Sequence, residues 1–270
     1  MEGTMKKLIP LLLTLALFGC TAAPAPTTAE TTVTPTTIPE TTVPETTVPE
    51  TTVPVTTAPL HSELFLEHYT VEDVITAFNE VVLQMEYTDG TGDPSRVQKW
   101  LTPLQCIVFG APTAEDLEVL EAFFAELNQI PGFPGISITQ EDTEATVTLG
   151  FLSAENFRNG FSEVVNGEDA WGACQFWYYT DTCELYDARI GYRTDIPQLD
   201  RNSILLEEVV NILGISDTEY RTDSIVYQYS NDNLHLSDMD LLILNLLYHP
   251  DMESGMDREQ CEAVIRNLYY

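Results

Sequence analysis

The chain has 270 residues, 44% of them hydrophobic, with 43 acidic side chains against 11 basic ones and a net charge of −32. That balance excludes binding driven by nucleic-acid phosphates or anionic membrane surfaces, both of which need clustered Lys and Arg. The length leaves room for one compact domain with a substantial core.

Lys6 and Lys7 precede an apolar run, Leu8 to Phe18. Spanning a bilayer takes ~20 apolar residues, so this run is too short, but it has the length of a signal-peptide core. It ends in Leu17-Phe18-Gly19-Cys20, which resembles the lipobox of bacterial lipoproteins, with Phe18 larger than the usual residue there. The resemblance implies a signal peptide over residues 1–19 and a lipid on the Cys20 thiol. The chain would then be anchored to the cell membrane, facing the extracellular or extracytoplasmic side. The same stretch also reads as an ordinary secretory signal cleaved near Ala22 or Ala23.

Residues 20–60 repeat Thr-Thr-Val-Pro-Glu and its variants, and residues 21–60 hold 16 Thr and 8 Pro. Proline every five residues removes backbone donors and blocks helix, and the apolar mass is too small for a core. An extended, disordered stalk is expected, with Thr hydroxyls suited to O-linked sugars.

The folding part begins near His61. Residues 61–94 read as an N-terminal helix and a turn-rich joint (Gly90 to Pro94), 95–256 as the main domain and 257–270 as a closing helix. Four helix starts share a capping residue followed three positions later by an acid or amide: Thr70/Asp73, Thr113/Asp116, Ser237/Asp240 and Asp257/Gln260. Strand-like runs lie between them at 104–109, 135–139, 145–151, 174–179 and 185–192. The run at 145–151 alternates apolar residues with Thr, as an exposed or edge strand does. The order predicts an α+β fold, one mixed sheet with packed helices.

Four cysteines follow Cys20, and in an extracytoplasmic setting they are candidates for disulfides. Cys174 and Cys183 are close enough to staple a hairpin, leaving Cys106 with Cys261 by elimination; free buried thiols are the other reading. The aromatic cluster Trp171, Phe176, Trp177, Tyr178 and Tyr179 suits either core packing or a groove for a peptide or glycan.

The stretch Ser203 to Asp217 predicts a helix capped by Asn202 or Ser203 and closed by Gly214. Its apolar face is interrupted by Glu207 and Glu208. Counted back from Gly214, the stretch reads E-E-x-x-N-x-x-G-x-x-D. That spacing resembles the H-E-x-x-H-x-x-G-x-x-H/D helix of metzincin zinc proteases. The resemblance puts Glu208 at the general-base position and Glu207, Asn211 and Asp217 at the ligand positions, with both helical His absent. It extends to Trp100, Ser224-Ile225, the Leu236 to Asp240 helix start and Leu247-Tyr248, and Gly255-Met256 follows downstream. These residues also resemble the pattern of a bacterial family of unknown function with a degenerate zincin-like helix.

The resemblance implies a zincin-like architecture without zinc. Two carboxylates and an amide suit Ca²⁺, Mg²⁺ or Mn²⁺ better than Zn²⁺, and His61, His68, His235 and His249 do not fall at ligand spacing. The expectation is a surface-anchored lipoprotein of unknown molecular function, with a catalytically inactive, metal-free domain in a binding or envelope-associated role, for which a protein or a glycan is the candidate ligand. The alternative is a metal-dependent peptidase or hydrolase using Glu208 with a divalent ion on Glu207, Asn211 and Asp217.

Overall fold

A computed structural model describes residues 68–83, 96–162, 164–165 and 170–269. The expected signal segment, Cys20, the stalk, His61 and the joint through Pro94 lie outside the described residues.

Helix α1 (Val71–Leu83) is followed by β1 (Lys99–Trp100), β2 (Leu104–Gly110), α2 (Ala114–Leu127), β3 (Ile136–Ile138) and β4 (Val147–Leu152). Then come α3 (Ala154–Gly160), β5 (Gly172–Tyr178), β6 (Glu184–Arg193), α4 (Gln198–Asn211), α5 (Asp238–Leu247) and α6 (Arg258–Leu268). Among the described residues one sheet runs β1-β6-β4-β2-β3, all parallel, and β5 adds to β6 antiparallel. Helices and a mostly parallel sheet make this a mixed α/β arrangement, in keeping with the α+β expectation.

All four predicted caps form. The Thr70 backbone N–H and hydroxyl both donate to Asp73, and reciprocal capping boxes close at Thr113/Asp116, Ser237/Asp240 and Asp257/Gln260. Each box satisfies amide donors that a helix start otherwise leaves without partners.

The strand at 145–151 is not an edge. It forms β4, in the middle of the sheet, paired to β2 on one side and β6 on the other. Its Val147, Leu149 and Phe151 are buried while Thr148 is only partly covered. The alternation therefore reports one apolar face and one half-open face rather than a missing neighbour.

The inner face of the sheet meets α4 and joins one continuous core of Leu104, Leu149, Ile190, Leu205, Val209 and Leu213 with the faces of α1, α2 and α5. The outer face carries a smaller cluster of Phe157, Phe161 and Ala173 under α3.

Among the described residues, Cys106, Cys174, Cys183 and Cys261 form no disulfide. Cys174 stands opposite Ile190 in the β5–β6 ladder, while Cys183 occupies the turn where its N–H donates to Tyr179 O. Five residues of strand separate those two levels, about 16 Å at ~3.3 Å per residue, and a disulfide needs Cα atoms within about 7 Å. Cys106 is buried on β2 and Cys261 on α6, which packs on α1. Burial pushes both thiols up to about 12.

Candidate functional site

Helix α4 begins at Gln198, five residues before the predicted start, with Pro197 as its N-cap. Asn202 and Ser203 lie within the helix instead of capping it. The Asn202 side chain donates to Glu115 and accepts from Gln198, and the Ser203 hydroxyl donates to Asn233 O. Arg201 on the same turn forms a buried ion pair with Asp116 on α2. Polar residues on this stretch are tolerated inside because α2 and the loop at Asn233 offer partners.

The other end of α4 is where the motif residues meet. Gly214 has φ +97°, and a Cβ there would stand 2.1 Å from Gln98 O. Only glycine meets both demands. The last carbonyls are bonded by side chains from elsewhere: Trp100 Nε1 donates to Ile212 O at 2.7 Å and the Tyr248 hydroxyl donates to Leu213 O at 3.1 Å. Lys99 donates Nζ to Leu247 O at 3.1 Å and to Met252 O, closing α5 in the same way. Val97 N–H donates to Met256 O and Gly255 N–H to Val97 O. The tryptophan, the Leu-Tyr pair and the Gly-Met pair of the sequence pattern thus all bear on one place, the C-termini of α4 and α5.

Asp240 organises the turn at Ser224-Ile225. Its Oδ1 accepts from the Ser224 hydroxyl and Arg221 Nη1, and its Oδ2 from the Ile225 and Ser237 amides.

Glu207, Glu208, Asn211 and Asp217 do come together and all are half-buried. Two of them bond each other. Asn211 Nδ2 donates to Asp217 Oδ1 at 2.8 Å and to Ile215 O at 3.1 Å. Both partners are acceptors, so the amide must present its nitrogen to them, not its oxygen. The second expected ligand is therefore a donor to the third. Among the described residues no group of three or more His, Cys, Asp or Glu side chains is placed to hold a metal ion. His68 and His235 are exposed. His249 accepts the Asp251 amide on Nδ1, and burial lowers its pKa.

Glu208 faces β5. A Cβ on Gly172 would come within 2.7 Å of Glu208 Oε1, so the glycine makes room for the carboxylate. The Cys174 thiol donates to Glu208. Burial of the sulfur, although the residue as a whole keeps some exposure, pushes the thiol pKa well up. The Glu208, Asp217 and Glu207 charges add to that. A protonated, enclosed thiol is a poor nucleophile. These contacts join α4 to β5.

The sequence reading missed Gly172 and Cys174 as the neighbours of Glu208. One signal was available: Gly172 and Cys174 alternate on the same strand face. The aromatic cluster divides in two. Trp171, Phe176 and Tyr178 pack against the core, while Trp177 meets Arg189 and exposed Tyr179 stacks on Tyr186.

A family model described as "Protein of unknown function (DUF2927)" matches residues 71–267. None of the curated proteins compared matches the chain. Among the described residues no helix is long and apolar enough to cross a membrane.

Proposed function

The chain belongs to the DUF2927 family of proteins of unknown function, and on that footing we propose that it is a non-catalytic binding protein. In this reading a lipid on Cys20 anchors it to a cell membrane, and the Thr/Pro stretch of residues 20–60 carries the domain away from the surface on the extracytoplasmic side. The domain keeps the helix positions of a zinc peptidase without the metal chemistry.

One observation carries the reading: Asn211 gives its amide hydrogens to Asp217 and Ile215. A peptidase site needs about three ligands converging on an open position for water, and here two of the three candidates bond each other. The Glu208–Cys174 contact supports the same conclusion for the base. The strong negative charge suits a solvated, exported surface and argues against nucleic acid as partner.

The test is metal analysis of protein purified without chelator, with peptidase assays on wild type and Glu208→Gln. Substoichiometric metal, a thermal midpoint indifferent to Zn²⁺, Mn²⁺ and Ca²⁺, and no Glu208-dependent cleavage are expected. Stoichiometric metal with cleavage lost in Glu208→Gln would overturn the reading. Anchoring is tested separately: Cys20→Ala should move the protein from the membrane fraction to the soluble one.

A further inference from the structure

The outer face of the sheet carries a cation whose partners are aromatic rings. Register sets Thr148, Arg189 and Gln175 side by side across β4, β6 and β5, with Trp177 one step along opposite Asp187. The Arg189 guanidinium carbon lies 5.0 Å from the centroid of Phe161 and 5.8 Å from that of Trp177. Phe161 fits there because Gly191 has no side chain; a Cβ would come within 2.1 Å of its ring. A guanidinium over a ring uses its flat faces and keeps its N–H edge for an acceptor in its own plane.

Only the terminal end of that edge is open. Arg193, Arg201, Arg221 and Arg266 each hold a carboxylate in an ion pair. The Arg189 side chain forms no ion pair or hydrogen bond among the described residues. Asp187, two residues back on the same face, feels its charge without touching it. Arg189 Nε is buried without a partner, but its two terminal nitrogens are not. Across the strand Gln175 buries its amide oxygen and leaves its NH₂ group outside. With the Thr148 hydroxyl beside them, these are convergent donors around one positive charge, and Trp177 forms a wall. Such a set seeks an acceptor that is planar and negative.

We infer that Arg189, Gln175 and Trp177 form a binding site for an acidic saccharide, a sugar ring bearing a carboxylate. The terminal nitrogens of Arg189 take the carboxylate end-on, Gln175 donates to a neighbouring ring oxygen, and the indole of Trp177 packs on the apolar C–H face of the sugar. Arg189 lies one strand in from β5, so its ligand rests flat on the sheet. A peptide adding to the sheet edge would instead pair with β5 itself and miss the guanidinium. The site names a ligand for the binding role proposed above and rests on it for its purpose. The titration below tests the site alone, and the metal and peptidase assays test the role, so each can fail separately.

The experiment is a titration of the isotope-labelled full chain with D-glucuronate, D-glucose and acetate, following the Arg189 Nε–H and Trp177 Nε1–H resonances. Glucuronate should move both signals saturably and glucose should move neither. Acetate should bind at least tenfold more weakly than glucuronate. Arg189→Gln should lose the glucuronate response at unchanged thermal midpoint, and Arg189→Lys should recover only part of it. Should Arg189→Gln fail to fold, the wild-type titrations decide alone. Glucuronate leaving both signals unmoved would overturn the site. Acetate binding as tightly as glucuronate without moving Trp177, or a peptide with a free C-terminus displacing glucuronate, would overturn the saccharide assignment.

Discussion

Asp240 accepts the Ser224 hydroxyl at 2.6 Å, and through that contact the N-terminus of α5 holds the Ser224-Ile225 turn. The same carboxylate takes Arg221 and the Ile225 and Ser237 amides. Four donors on one nearly buried side chain satisfy two oxygens and neutralise one charge. The turn has no regular secondary structure of its own to supply these bonds, so its shape depends on this residue.

Asp240→Asn keeps the size of the side chain but turns one acceptor oxygen into a donor that faces amide donors. It also leaves Arg221 without its carboxylate. Breaking a buried pair from one side costs about 3–5 kcal/mol. The urea midpoint should fall by an amount corresponding to about 3 kcal/mol. Ser224→Ala removes only one hydrogen bond and should cost about 1 kcal/mol. Equal losses in the two variants would show that Asp240 acts only through Ser224.

Two glycines should respond in opposite directions to alanine. Gly214 has φ +97° and a would-be Cβ 2.1 Å from Gln98 O. Left-handed backbone alone costs an L-residue about 1–2 kcal/mol, and the clash is with backbone that cannot rotate away. Gly214→Ala should cost more than about 2 kcal/mol in denaturant unfolding. Gly160 closes α3 with nothing within 4 Å of its would-be Cβ. Gly160→Ala should be neutral or stabilise by up to about 1 kcal/mol, through the lower entropy of the unfolded chain.

Alkaline pH should weaken the fold, and Cys106 should be one cause. Burial raises its thiol from 9.0 to about 12 in the folded chain. Between those values the unfolded thiol has lost its proton and the folded one has kept it. The native state then binds more protons, so stability falls as pH rises. The contribution of the buried neutral thiol is whole below about pH 9 and is lost as pH approaches 12. The slope is at most about 1.4 kcal/mol per pH unit for one thiol. Cys261 and the buried Tyr192 and Tyr248 are raised too and add in the same direction. Lys99 is lowered by burial and opposes them. Cys106→Ala should flatten the fall in urea midpoint above pH 9, whatever it does to stability at pH 7. An unchanged slope would remove Cys106 from the list of causes.

What was legible in the sequence was local. Caps such as Thr113/Asp116 and Ser237/Asp240 are decided within four residues, and the glycine stop at Gly214 is decided by one dihedral angle. Spacing also brought Asn211 within reach of Asp217. What the sequence did not show was which atom of Asn211 faces the acid, because Ile215 O makes that choice. The central place of β4 was hidden because Thr at alternate positions marks a half-open face as readily as an edge. The Glu208–Cys174 contact joins residues on separate elements, and no local rule links them. The start of α4 was missed for a related reason: Asn202 and Ser203 look like caps until α2 and Asn233 supply partners for them inside the helix.

Cys183 reverses the usual order of alanine and glycine. It is buried in the β5–β6 turn with φ +57° among residues that otherwise reserve positive φ for glycine. Its N–H donates to Tyr179 O while the Tyr179 N–H donates to Glu184 O, so the turn is closed from both sides and cannot relax. Cys183→Ala keeps the left-handed strain and loses the packing of the sulfur. Cys183→Gly loses the same packing and releases about 1 kcal/mol of strain. In an ordinary turn or strand glycine is the weaker of the two by about 0.5–1 kcal/mol, because it gives up more freedom on folding. Here Cys183→Gly should be at least as stable as Cys183→Ala by thermal midpoint, with both below wild type. A midpoint for the glycine variant clearly below that of the alanine variant would mean that the turn tolerates a side chain at this dihedral without strain.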